Sequence, residues 1–204
     1  GVEKDLNEAK KYFKLAADQG DIPSMYYYAL INLEGEGVEK DLNEAKKYFK
    51  LAADLGDDSS MCNYAIALDS ENNPSNLQEI EYYLKFSIEK GNTYAMVNYG
   101  KKLKNGQGFK MNKQESLKYF KQAADKGNIE GMLNYAQMNL EGEGTEINMK
   151  ESMKYYKLAA DKGDVDGMYN YSHLNYNEGN FSEAIKYGKL AAEHGDEKSM
   201  YNYG

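Results

Sequence analysis

The chain has 204 residues, with 25 Lys+Arg against 33 Asp+Glu and a net charge of -8, which suits one or two domains and disfavours a polyanionic partner such as a nucleic acid. A single cysteine, Cys62, rules out an intrachain disulfide and a cysteine-built zinc site. No apolar run approaches the ~20 residues that span a bilayer, so membrane insertion is not expected.

The first element is a long helix within residues 1–19, and the whole stretch Gly1–Asp18 returns letter for letter as Gly37–Asp54. A short helix, Pro23–Leu33, follows, then a loop with two glycines, "EGEG", and the long helix Leu42–Asp54. In that helix Leu42, Ala45, Tyr48, Phe49, Ala52 and Ala53 recur at steps of three and four and predict a buried stripe. Lys46, Lys47 and Lys50 lie off the stripe and are expected in water. Further on, "DSENNPSN" (Asp69–Asn76) replaces the double-glycine loop and predicts the most mobile joint. "NEGN" (Asn177–Asn180) shortens the last full repeat.

These elements are one unit repeated. Gly20, Gly56, Gly91, Gly127, Gly163 and Gly195 stand 36, 35, 36, 36 and 32 residues apart, and a methionine follows each by five places: Met25, Met61, Met96, Met132, Met168 and Met200. The predicted organisation is a single array over residues 1–204. Its repeats are 1–19 (second helix only), 20–55, 56–90, 91–126, 127–162, 163–194 and 195–204 (first helix only).

Each helix start carries its own signal. Asp5, Asp41, Asn76, Asn112, Asn148 and Asn180 precede Glu8, Glu44, Glu79, Glu115, Glu151 and Glu183 by three, the spacing of a capping box. Asp21, Asp57, Asn92, Asn128, Asp164 and Asp196 follow the anchor glycines and predict N-caps of the short helices, while the glycines suit the left-handed residue that ends the preceding helix. The glycine pairs Gly35–Gly37, Gly106–Gly108 and Gly142–Gly144 are no phosphate cradle. A helix precedes them instead of a strand, the third glycine is missing and no Gly-Lys-Ser/Thr follows.

The unit "GDxxSMxNYAxxLxxGxGxxxDxxEAxxYFKxAAxxG" resembles the Sel-one-like repeat, a relative of the tetratricopeptide repeat, over essentially the whole chain. The resemblance implies an all-α fold, a right-handed superhelical solenoid of antiparallel helix pairs. It also implies a non-enzymatic adaptor that holds other proteins. Some bacterial members carry a disulfide in every unit; this chain, with one cysteine, departs from them. One helix pair cannot bury its apolar face alone, so neighbouring units must cover it. Ala29, Ala65, Gly100, Ala136 and Ser172, four places after each methionine, would let paired helices approach closely. An Ala53→Phe substitution is expected to overpack the long-helix contact by roughly 1–3 kcal/mol.

Chemistry has few candidates. Cys62 lies far along the array from the histidines His173 and His194, no residue is assigned a catalytic or metal role, and no cofactor is expected. Function is sought instead where repeats disagree. Counting from the methionine, places +1, +5 and +8 vary and share one stripe of the short helix. They are Tyr26, Leu30 and Leu33; Cys62, Ile66 and Asp69; Val97, Lys101 and Lys104; Leu133, Gln137 and Leu140; Tyr169, His173 and Tyr176; and Tyr201. The resemblance places this stripe in a concave groove that would take a peptide or helix of a partner protein. Lys101 and Lys104 at its centre suggest a partner with hydrophobic anchors and one acidic group. Lys101→Glu with Lys104→Glu is then expected to abolish capture without unfolding the array. The alternative is a spacer or regulatory arm fused to an enzymatic domain outside the range. The two cut ends could also associate end to end, which sedimentation would test. The lone cysteine and the lack of a visible targeting segment lean towards the cytoplasm, although the chain starts inside a repeat.

Overall fold

The computed structural model describes residues 6–35, 39–195 and 199–200. Asp5, Gly37, Asp196 and Tyr201 lie outside the described residues. Those described form eleven α-helices and one 3₁₀ turn. The helices are α1 (Leu6–Ala17), α2 (Ile22–Glu34), α3 (Leu42–Asp54), α4 (Asp58–Ser70), α5 (Leu77–Glu89), α6 (Thr93–Asn105), α7 (Lys113–Asp125), α8 (Ile129–Glu141), α9 (Met149–Asp161), α10 (Val165–Asn177) and α11 (Phe181–Glu193). Odd-numbered helices are the long-helix pattern of the sequence and even-numbered ones the short pattern, but the difference in length does not hold: α2 to α11 all have 13 residues and α1 has 12.

The chain divides into two compact units, Gly1–Ala95 and Met96–Gly204. In the first, α1 packs on α2, α2 on α3, α3 on α4 and α4 on α5. In the second, α7 packs on α8, α8 on α9, α9 on α10 and α10 on α11. The apolar stripes make these contacts: Ala45, Tyr48, Phe49, Ala52 and Ala53 of α3 are all buried, as are Met25, Met61, Met96, Met132 and Met168 of the short helices, whereas Leu42, at the first position of α3, and Met200 are exposed and correct the expectation. The small residue four places after each methionine is buried too, and a Cβ added at Gly100 would meet the Phe120 ring at 2.8 Å.

A second small place went unread in the sequence. Ser24, Ser60, Ala95, Gly131 and Gly167, one before each methionine, are buried, the two glycines against the end of the preceding long helix. A Cβ on Gly131 would lie 2.8 Å from Ala123 Cβ, and one on Gly167 would lie 2.7 Å from the Ala160 nitrogen. No branched side chain fits there.

The caps hold in part. Asp21, Asp57, Asn92, Asn128 and Asp164 each accept a bond from the backbone N–H three residues on. Asp41, Asn112 and Asn148 do the same for Glu44, Glu115 and Glu151. Asn76 and Asn180 make no side-chain cap. Around Asn76 the connector winds into the 3₁₀ turn Pro74–Asn76, capped by Asn73, and the Asn76 amide turns back to Glu71 at 2.8 Å. The reciprocal half of the capping box is also different. The N–H groups of Asp41, Asn112, Asn148 and Asn180 bond the carbonyls of Asn32, Leu103, Asn139 and Asn175 on the preceding short helix, so the glutamates are released for other contacts.

The glycines act as punctuation. Gly35 and Gly142 are left-handed and their N–H groups close α2 and α8. Gly144, at φ +73°, lies so near the Lys113 carbonyl that a Cβ would sit 2.4 Å from it.

Candidate functional site

A partly solvated layer of side-chain clamps ties successive long helices together. Lys50 and Asp54 sit one turn apart at the end of α3 and pair at 3.1 Å. Tyr83, from the next long helix, donates its hydroxyl to Asp54 at 2.5 Å and lies 3.1 Å from Lys50 Nζ. The same ammonium sits 5.5 Å from the ring centres of Tyr64 and Tyr83, which meet edge to face at 5.0 Å. Lys50 keeps 43% of its side chain accessible, as expected of a charge off the stripe, and its long stem also carries the ammonium across to the next repeat. The group recurs as Lys14–Asp18–Tyr48 in the first unit, and as Lys121–Asp125–Tyr155 and Lys157–Asp161–Tyr187 in the second. Glu44, Glu79 and Glu183 complete the layer by accepting the hydroxyls of Tyr28, Tyr64 and Tyr171.

A lysine beside a tyrosine could signal acid–base catalysis, which needs a phenol poised near neutrality. The shifts run the other way. Burial and the Asp125 carboxylate push Tyr155 up to about 12. Bonds from Tyr48 and Lys14 hold Asp18 below its usual range, and the bond to Asp18 raises Lys14. These shifts favour the resting charge state of each group, and the clamps join successive repeats.

The short-helix stripe divides by place. Leu30, Leu33, Asp69, Leu133, Leu140 and Tyr169 are half-exposed, while Ile66, Gln137, His173 and Tyr176 are exposed. The His173 ring lies parallel to Tyr169 at 6.3 Å. Tyr26 is half-exposed and hydrogen-bonded to Asn63 on the next short helix. Two members are corrected outright. Cys62 and Val97 are buried and give no surface to a partner, because their small side chains turn into the core.

The central lysines are corrected as well. Lys101 pairs with Glu130. Lys104 pairs with Glu143 at 2.9 Å, and Glu143 also holds Lys113 at 2.5 Å. The carboxylates come from the following repeat, within reach of the long lysine stems. Lys102 is buried, its ammonium 5.9 Å from the Phe109 ring centre. The positive pair is therefore neutralised within the molecule.

Asn32, Asn139 and Asn175, seven places after the methionine, were also missed. They are buried; their side-chain amides donate to the carbonyl four residues back, and their backbone carbonyls accept the N–H of the residue that caps the next helix. Among the described residues no group of three or more His, Cys, Asp or Glu could hold a metal ion, and no helix is long and apolar enough to cross a membrane.

A solenoid of helix pairs joined by clamps and presenting a varied face defines the class of helical repeat scaffolds. The Sel1 repeat profile matches residues 1–21, 22–57, 93–128, 129–164 and 165–196, and the chain belongs to that family. The repeat with the 3₁₀ connector lies between the matched stretches. Among solved structures the chain is similar to a Sel1 repeat protein from Oxalobacter formigenes, at 23% identity and TM-score 0.80, over 94% of this chain and 78% of that one. It is also similar to an immunity protein from Pseudomonas aeruginosa, at 18% identity and TM-score 0.62, over 90% of this chain and 72% of that one. A third is pilF of the same organism, at 15% identity and TM-score 0.60, over 96% and 82%. These likenesses establish an all-α helical repeat solenoid. A search of curated protein sequences finds no match. Proteins of the Sel1 repeat family are in general non-catalytic scaffolds that bind other proteins.

Proposed function

We propose that this chain captures a peptide or helix of a partner protein along the short-helix stripe. The observation that carries the reading is the split within each short helix. Methionine and small-residue places are buried, while most of the +5 and +8 places stay open and differ from repeat to repeat. Packing explains the first set and leaves the second for recognition. In the first unit the open places are Leu30, Leu33, Ile66 and Asp69; in the second, Gln137, Leu140, His173 and Tyr176. A groove of this kind holds a helix through apolar anchors one turn apart.

Lys101→Glu with Lys104→Glu is a poor test, since each new carboxylate would face Glu130 or Glu143. Ile66→Asp with Tyr176→Asp changes two exposed side chains instead, 43% and 57% accessible. The expected result is loss of at least tenfold in partner recovery from a pull-down, with unchanged helical circular dichroism. Equal recovery would show that another face is used.

A further inference from the structure

One joint of the second unit is short, and a cleft opens beside it. In three joints the same backbone bond closes the turn. The N–H of Asp41, Asn112 and Asn148 reaches the carbonyl of Asn32, Leu103 and Asn139, nine places back. Between α10 and α11 the matching bond, from Asn180 to Asn175, spans only five. The preceding joint shows where the missing residues would lie. There Glu143 binds Lys104 at 2.9 Å and Lys113 at 2.5 Å. Gly144 presses on the first turn of α7, where an added Cβ would stand 2.4 Å from the Lys113 carbonyl and 2.9 Å from the Gln114 nitrogen. That loop roofs the start of α7. With Asn112 and Asn148 aligned as N-caps, Lys113 and Gln114 correspond to Met149 and Lys150 of α9. The turn Asn177–Asn180 is too short to supply counterparts of Glu143 and Gly144.

The result is a cleft of about 430 Å³ over α9, a volume in the range of ligand sites. Met149, Met153 and Tyr171 give it apolar surface. Lys150, Lys154 and Lys157, at helical steps of four and three, bring three ammonium groups, and Glu178 brings one carboxylate. Lys157 is engaged in its clamp, 2.8 Å from Asp161 and 2.9 Å from the Tyr187 hydroxyl, with its ammonium 5.9 Å from the Tyr171 ring centre. Lys154 is exposed and meets Glu151 only at 3.6 Å, a surface pair that holds little. Lys150 is exposed and has no ion-pair partner among the described residues. Positive charge is therefore in surplus beside an apolar lining. The preceding joint shows the complement such a place accepts: one carboxylate between two lysines, carried by a chain that lies against the helix.

We propose that this cleft docks a short acidic segment of a partner protein, which takes the place of the loop that the α10–α11 joint lacks. An apolar side chain of the segment lies on Met149, Met153 and Tyr171, and an aspartate or glutamate beside it binds Lys150 and Lys154. None of the variable short-helix places lines the cleft, so this is a second contact surface that stands apart from the stripe.

The test selects random dodecapeptides displayed on phage against the folded protein, after depletion on a loop graft. In the graft, Glu178–Gly179 is replaced by the stretch Gly142–Ile147, which restores the longer joint and should roof the cleft. The most enriched peptide, fluorescein-labelled, is titrated by anisotropy against the unaltered chain, the graft, Lys150→Glu with Lys154→Glu, Met149→Asp, and Ile66→Asp with Tyr176→Asp. The expected peptide carries an Asp or Glu next to an apolar residue. Its affinity should fall at least tenfold against the graft and the lysine variant, several-fold against Met149→Asp, and at least tenfold when its own acid becomes the amide. Helical circular dichroism should be unchanged in the lysine and Met149 variants, whose altered side chains are exposed; these two decide the matter if the graft does not fold. No enrichment, an enriched peptide without an acidic residue, or unchanged affinity in the lysine variant would overturn the site. If the lysine variant binds as the parent does and Ile66→Asp with Tyr176→Asp does not, the cleft fails and the stripe reading stands.

Discussion

A methyl group added at Gly167 would lie 2.7 Å from the Ala160 nitrogen and 2.8 Å from Ala159 Cβ, both on a rigid helix that cannot yield cheaply. Alanine normally favours a helix interior over glycine by about 1 kcal/mol. Here the clash should win, and Gly167→Ala is expected to lower stability by about 1–3 kcal/mol in urea unfolding. Tyr83→Phe removes a hydroxyl bond to an ionised Asp54 at a partly solvated site, with an expected loss of about 1 kcal/mol. The clamp also fixes a pH response. Asp18 and Asp161 are held below their usual range, so the unfolded chain binds protons first as pH falls. Their contribution is complete above the unfolded carboxylate value near 4 and is lost below it. Tyr155, raised to about 12, behaves oppositely: the unfolded phenol ionises first, and its contribution is full below about pH 10 and fades as pH climbs towards 12. Thermal melts should therefore show a plateau between these limits and a fall at each end. A melting temperature that holds steady from pH 9 to pH 12 would contradict the alkaline half.

At the scale of the helix, identical sequence signals do not give identical caps. Asn148 accepts the Glu151 N–H at 3.1 Å, whereas Asn180, after the shortened turn, makes no side-chain cap. Asn148→Ala should cost about 1 kcal/mol and Asn180→Ala only a few tenths, measured by chemical denaturation. Period, apolar stripe and anchor glycine were legible because they act within one helix or turn. The spacing also located the N-cap places, but it could not show that the Asp41 N–H is taken by Asn32, which leaves Glu44 to the Tyr28 hydroxyl. The Lys50–Asp54–Tyr83 contact was hidden because its partners lie some 30 residues apart and meet only after stacking. A trace of it was present: Lys-x-Ala-Ala-Asp precedes the anchor glycine at Lys14, Lys50, Lys121 and Lys157. The stripe was read correctly as variable. Its charge was not, since Lys101 and Lys104 are answered by carboxylates of the following repeat.

For the molecule as a whole, neighbour-only contacts mean that damage should stay local. Ala53 is buried between α3 and its neighbours, and Ala53→Phe should lower amide-exchange protection in α2–α5 while leaving α8–α11 nearly unchanged. Uniform loss along the chain would argue for a single cooperative block. The clamps carry a further consequence for how such a chain can change length. Four long helices offer Lys and Asp forwards to a Tyr of the next one, so the repeats they join have complementary ends, like coupled wagons. Removing residues 129–164 as one piece would bring Lys121 and Asp125 up against Tyr187, the same partner chemistry that Tyr155 supplies now. Whole repeats can thus be gained or lost without inventing a new joint, and the unaltered copy of Gly1–Asp18 at Gly37–Asp54 is what such copying leaves behind.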